Sequence, residues 1–167
     1  MLAEKLNEEA VMRRLVAAAL FTTLVLPVPT LAQGPDFSGT WKMDPARSES
    51  AAQKDPIGPV TIVITQSRNE LRMETLRTEG PSVVTYTLDG SEVQIPGGKA
   101  KTHWDGPRLV TEIERYVQGQ AVTTKETRTL AAGGNEMVVE MTLVVQHGYS
   151  ASTTNYGSGK DIYVRAR

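Results

Sequence analysis

The chain has 167 residues, with 18 Lys and Arg against 19 Asp and Glu, no cysteine and two histidines. A balanced charge without a basic run gives no electrostatic reason to bind nucleic acid or an anionic membrane surface. The missing thiols exclude disulfides, a lipoprotein anchor, thiolate catalysis and Cys-ligated zinc. His103 and His147 leave little material for a metal site or a Ser-His-Asp triad, so no cofactor and no metal is expected.

The first 32 residues read as a targeting segment. Met12-Arg13-Arg14 is a short basic region, Leu15–Val28 (LVAAALFTTLVLPV) is apolar, and Thr30-Leu31-Ala32 carries small residues where a signal peptidase reads. The pattern predicts a secretory signal cleaved after Ala32 and a secreted or periplasmic protein. The apolar run is short and interrupted by proline, so a membrane span is the weaker alternative, and none is expected in the mature chain. Met1–Val11 precedes the basic pair and carries three Glu, which points to Met12 as the natural start. The mature domain is then 33–167, about 135 residues, large enough for one core.

Strand follows strand from there. FSGTWKMD (Phe37–Asp44) is the first. Asp44-Pro45 then offers a cap and a first-turn proline, predicting a short helix over Pro45–Gln53. Val60–Ser67 is β-branched and alternating. Glu70–Arg77 places Leu71, Met73 and Thr75 on one face. Ser82–Leu88 ends at Asp89-Gly90, a hairpin signal. Glu92–Ile95 and Lys99–Asp105 are short. Arg108–Val117 sets Leu109, Thr111 and Ile113 against Arg108, Glu112 and Glu114. Ala121–Leu130 is followed by Ala131–Asn135, a turn. Glu136–Val145 carries Met137, Val139, Met141, Leu143 and Val145 on one face, and Lys160–Ala166 is last.

These segments predict an all-β antiparallel up-and-down meander of about eight to ten strands with short connections. A flat sheet of that width would expose two edges and an apolar face; closing or nearly closing it into a barrel removes both problems. The inward face then carries Ile62, Ile64, Leu71, Met73, Leu109, Ile113, Met137, Val139, Met141 and Val145.

Phe37-x-Gly39-x-Trp41 on a first strand, a short helical segment, and a meander ending in Ile162-Tyr163-Val164-Arg165 resemble the lipocalin and fatty-acid-binding (calycin) barrels. The opening Phe-Ser-Gly-Thr-Trp-Lys, with Asp-Pro-Ala and a Ser soon after, and Trp104-Asp105-Gly106 further on, also resemble small exported bacterial proteins of a lipocalin-like type. The resemblance implies that Trp41 closes the foot of the barrel with Arg165 packed across its ring, and that Gly39 allows a close backbone approach. The competing reading makes Trp41 an ordinary core anchor.

Isolated chemistry is sparse. His103, His147, Asp105, Glu112 and Glu114 read as surface residues, and no nucleophile elbow, P-loop or Rossmann fingerprint is present. Gly148–Gly159 is a long polar connection whose Tyr149 and Tyr156 either line a mouth or extend two strands. The expected function is a non-enzymatic, exported binding protein for a small apolar or amphipathic molecule. Its walls are Ile62, Ile64, Leu71, Met73, Leu109, Ile113, Val139 and Met141, with Tyr86 or Thr111 as a polar handle. A fully packed barrel without a cavity is the competing reading. One alternative is an envelope interaction module with an exposed patch at Val84, Tyr86 and Leu88. A calycin-barrel enzyme, drawing on inward Thr75, Thr85 and Thr111, is a lesser one.

Overall fold

Alternating side chains and glycine turns produce ten strands: β1 Gly39–Met43, β2 Thr61–Gln66, β3 Glu70–Arg77, β4 Gly80–Thr87, β5 Asp89–Ile95, β6 Gly98–Asp105, β7 Arg108–Val117, β8 Gln120–Ala131, β9 Glu136–Gln146 and β10 Thr154–Arg165. The computed structural model describes residues 34–50, 58–146 and 154–166. The segment expected to be a targeting signal, together with His147 and Tyr149, lies outside the described residues. Gln33–Arg167 forms one compact unit.

All ten strands join one antiparallel sheet in the order β4-β3-β2-β1-β10-β9-β8-β7-β6-β5. The first and last strands pair, Trp41 opposite Arg165 and Met43 opposite Tyr163. That pairing curls the meander back on itself. The two edge strands, β4 and β5, are consecutive in the chain and separated by Leu88 alone. No ladder joins them among the described residues; the Leu88 N–H instead donates to Asn69 O at 2.9 Å. The result is a nearly closed ten-stranded barrel.

The short helix expected over Pro45–Gln53 is not formed by its described part. Asp44 does cap the segment, accepting from Ala46 N at 3.1 Å and from Arg47 Nε at 2.7 Å. Beyond that turn, Glu49 N donates to Lys160 O at 2.9 Å, and Ser48 Oγ exchanges hydrogen bonds with the Ile162 backbone. Groups that a helix would use internally are spent on β10. The remainder, 51–53, lies outside the described residues. Among the described residues, a 3-10 turn, Ala132–Gly134, follows β8.

The final strand is longer than its sequence pattern indicates. Pairing with β9 begins at Thr154 opposite Gln146, so much of the glycine-rich connection is strand. Tyr156 lies in it and is 80% exposed, outside any ligand-facing wall.

The alternation sorts side chains as a half-buried sheet requires. Phe37, Trp41, Ile64, Leu71, Leu109 and Met137 are almost fully buried, whereas Glu112, Glu114 and Arg72 on the opposite face are exposed. Each buried large apolar side chain contributes about 1.5–3 kcal/mol. The core cluster is densest where β1 starts and β10 ends, which defines the foot. The opposite end, where β7–β8 and β9–β10 continue as long hairpins, is the mouth.

Candidate functional site: the barrel interior

Three aromatic residues build the foot. Phe37 N donates to Gln66 Oε1 at 2.9 Å, and Trp41 Nε1 donates to Phe37 O at 2.9 Å, so the indole nitrogen is satisfied although its ring is wholly buried. Phe37 and Trp104 meet at 6.1 Å between ring centres. The Arg165 guanidinium carbon lies 4.2 Å from the centre of a Trp41 ring. Arg165 Nε donates to Gly134 O at 2.9 Å and Nη1 donates to Ser38 O. Gly39, at φ +134°, is where a Cβ would run into that guanidinium. A side chain here is excluded twice, by conformation and by space. Ser38 hydrogen bonds, with the Arg165 charge adding to them, hold the nearby Asp36 carboxyl below its ordinary range.

The proposed wall residues divide by burial. Ile62, Ile64, Leu71, Leu109 and Ile113 are buried in the core cluster. Met73 and Val139 pack against it while remaining partly exposed, and Met141 is likewise half-buried. Val84 and Val93 complete this partly open wall. These five aliphatics are packed core, and Met73, Val139 and Met141 are the less covered wall; burial and not height separates them, since Met73 stands opposite Ile64 and Val139 shares a row with Leu109 across Arg128.

The expected polar handles are corrected in detail. Thr111 is fully buried, but its Oγ1 already accepts from Thr102 Oγ1 at 3.1 Å and from Arg128 Nη1 at 3.1 Å. It is committed to holding other side chains. Thr85 pairs with the outward Arg72 and is exposed, so it is not an interior residue. The patch expected at Val84, Tyr86 and Leu88 faces inward, with Tyr86 and Leu88 buried, because the β4 register places that face opposite Leu71 and Met73.

The dominant polar feature is one that sequence reasoning missed. On β8, Arg128 stands opposite Leu109 and Val139, and Glu126 stands opposite Thr111 and Met141. Both are thereby turned into the barrel. Arg128 is 3% exposed; its Nη2 donates to Glu126 Oε2 and reaches Met73 Sδ at 3.9 Å. A lone buried guanidinium would cost several kcal/mol, and the carboxylate offsets most of that. The Arg128 Nε is sealed from solvent and has no partner.

Tyr86 on β4, opposite Leu71, and Tyr163 on β10, opposite Met137, both turn inward, and the charges of Arg128 and Glu126 reach both phenols. Burial pushes the Tyr86 phenol up, and burial, reinforced by Asp161, pushes Tyr163 up to about 12. Both phenols are therefore protonated near neutral pH. Neither hydroxyl has a hydrogen-bond partner among the described residues, yet Arg128 Nε is the one described side-chain polar atom both sealed and unpartnered. The two hydroxyls are thus not sealed from solvent. Asp161, also inward, accepts from Ser50 N at 3.0 Å and Ser50 Oγ at 2.7 Å, fastening the segment after β1 to the barrel.

Outside the barrel, His103 is half-buried, while Asp105 is exposed and ion-paired with Arg108. Glu114 shares Lys99 with Glu92 at 3.2 and 3.1 Å, an exposed surface network. Among the described residues no group of three His, Asp or Glu side chains converges as a metal site would require.

No family model matches the chain, and no curated protein does. Among solved structures, the fluorescent protein UnaG superposes with a TM-score of 0.52 at 19% identity, covering 78% of this chain and 97% of that one. The fold is calycin-like. A point mutant of UnaG gives the same TM-score and identity over 96% of its length. At that identity the likeness concerns the fold alone, and it agrees with the ten-stranded, nearly closed calycin-like meander.

Proposed function

We propose that this calycin-like barrel is a non-enzymatic binding protein that holds one small apolar or amphipathic molecule in its interior. The observation carrying this reading is the pair of buried hydroxyls, Tyr86 and Tyr163, left without partners beside Met73, Val84, Val93, Val139 and Met141, which face inward but are incompletely covered. Each hydroxyl keeps some access to solvent, so a guest that seals it without a hydrogen bond costs about 1–3 kcal/mol. A guest that covers the apolar wall and reaches these hydroxyls avoids that cost while burying its own apolar surface. The methionines adapt to guests of differing shape. Export rests on the composition of Met12–Ala32 alone, and the natural setting proposed from it is the periplasm or the cell exterior.

The tyrosines also bear on the enzyme alternative. Phenols held protonated act as hydrogen-bond donors and not as bases. The interaction-module alternative loses its expected patch to the core.

Titration of the purified protein with the neutral apolar dye Nile red tests the reading. Saturable binding at one site per chain is expected, accompanied by a blue shift. A bulky residue at Met141 should abolish it with the thermal melt unchanged. Linear, unsaturable emission in the wild type would defeat the proposal.

A further inference from the structure

The barrel interior also specifies the polar end of its guest, an inference that rests on the binding reading above. Among the described residues, Arg128 is the one buried basic side chain. Its charge is occupied: Nη2 is bonded to Glu126, Nη1 to Thr111, and the residue is 3% exposed. Nε is sealed, with no room for an incoming atom. A carboxylate could reach this guanidinium only by displacing Glu126. The exposed member of the ion pair is the acid, with 21% of the Glu126 side chain accessible against 3% for Arg128.

The other charges facing the interior agree. Asp161 is inward and accepts hydrogen bonds from the uncharged Ser50. Gly159 stands opposite Met141 on the inner face, and a Cβ there would lie 4.0 Å from a carboxylate oxygen of Glu49, which is exposed and counts no more than the rim arginines. Arg77 and Arg115 share the inward register of β3 and β7 but are exposed at the rim. Ion pairs formed in water are worth about 0–1 kcal/mol, too little to offset a carboxylate buried against Glu126 and Asp161.

We propose that the deep end of the guest is an uncharged hydrogen-bond donor, a hydroxyl or amide N–H, and not a carboxylate. The donor is received by Glu126, with the Tyr86 and Tyr163 hydroxyls completing its shell. The barrel thereby selects neutral alcohols or amides over fatty-acid anions of the same length.

Displacement of Nile red from the full chain at pH 7.5 by decanol and by decanoate tests the selection. Decanol is expected to compete at least about tenfold more strongly. Glu126→Gln keeps an amide oxygen for the Arg128 bond but removes the negative charge, and it should bring decanoate within about threefold of decanol. Decanoate competing as well as decanol in the wild type would overturn the selection while leaving interior binding intact. Saturable dye binding that neither compound displaces would also overturn it. Failure of Nile red itself to bind would instead remove the underlying binding reading. If Glu126→Gln does not fold, the wild-type ratio alone decides.

Discussion

Replacing Arg165 by methionine measures what closes the foot. The guanidinium stacked 4.2 Å from the Trp41 ring centre contributes about 0.5–2 kcal/mol. Its hydrogen bonds to Gly134 O and Ser38 O are charge-assisted and worth about 1.5–3 kcal/mol each when shielded. Arg165 is only partly buried, so water recovers some of those bonds, and methionine retains the aliphatic contact with the indole. The net loss expected is about 2–4 kcal/mol. In a domain of this size that lowers Tm by roughly 6–15 °C. Urea unfolding followed by tryptophan fluorescence and by far-UV circular dichroism gives the free energy directly. Arg165→Lys should lie between, since an ammonium keeps the charge but cannot bridge both carbonyls while stacking. A cycle with Trp41→Phe isolates the ring contribution, expected at about 0.5–2 kcal/mol of coupling. A loss below about 0.5 kcal/mol with an unchanged denaturant slope would refute the argument that this contact closes the barrel.

Gly39→Ala should cost about 2 kcal/mol or more in the same assay, since the new methyl meets the Arg165 guanidinium at a positive φ; a neutral change would show that β1 relaxes freely. Above pH 10, stability should fall. Unfolded Tyr163 ionises near pH 10 while the folded residue holds its proton to about 12, so the unfolded state binds fewer protons through that window. The loss attributable to Tyr163 is about 2 kcal/mol by pH 12, read as the difference between wild type and Tyr163→Phe; parallel pH curves for the two would contradict it. Arg128→Met should destabilise by about 3–5 kcal/mol at pH 7, because it strands the Glu126 carboxylate. Adding Glu126→Leu should recover most of the loss, and an equal deficit in single and double variants would show that the pair is not an energetic unit.

Much of the architecture is legible in the amino-acid order because period-two patterning and glycine turns are local signals. β3, β7 and β9 each carry apolar residues on one face, and Leu71, Leu109 and Met137 are fully buried as that face demands. The opening strand announces its own role through a large indole beside a glycine. β8 gives no such signal. Its sequence AVTTKETRTL alternates polar with polar, Thr124, Glu126 and Arg128 against Thr123, Lys125 and Thr127, so neither face declares itself as interior. The decision comes from its neighbours: pairing Arg128 between Leu109 and Val139 turns the charged face inward and makes it the interior's polar centre. The same holds for Pro45–Ser50, whose local cap favours a helix until β10 offers its backbone as a partner. Local chemistry determined which segments are strands and which end holds the plug. Long-range register decided which polar side chains share the interior, because a side chain's direction within a strand has meaning only once its neighbours are fixed.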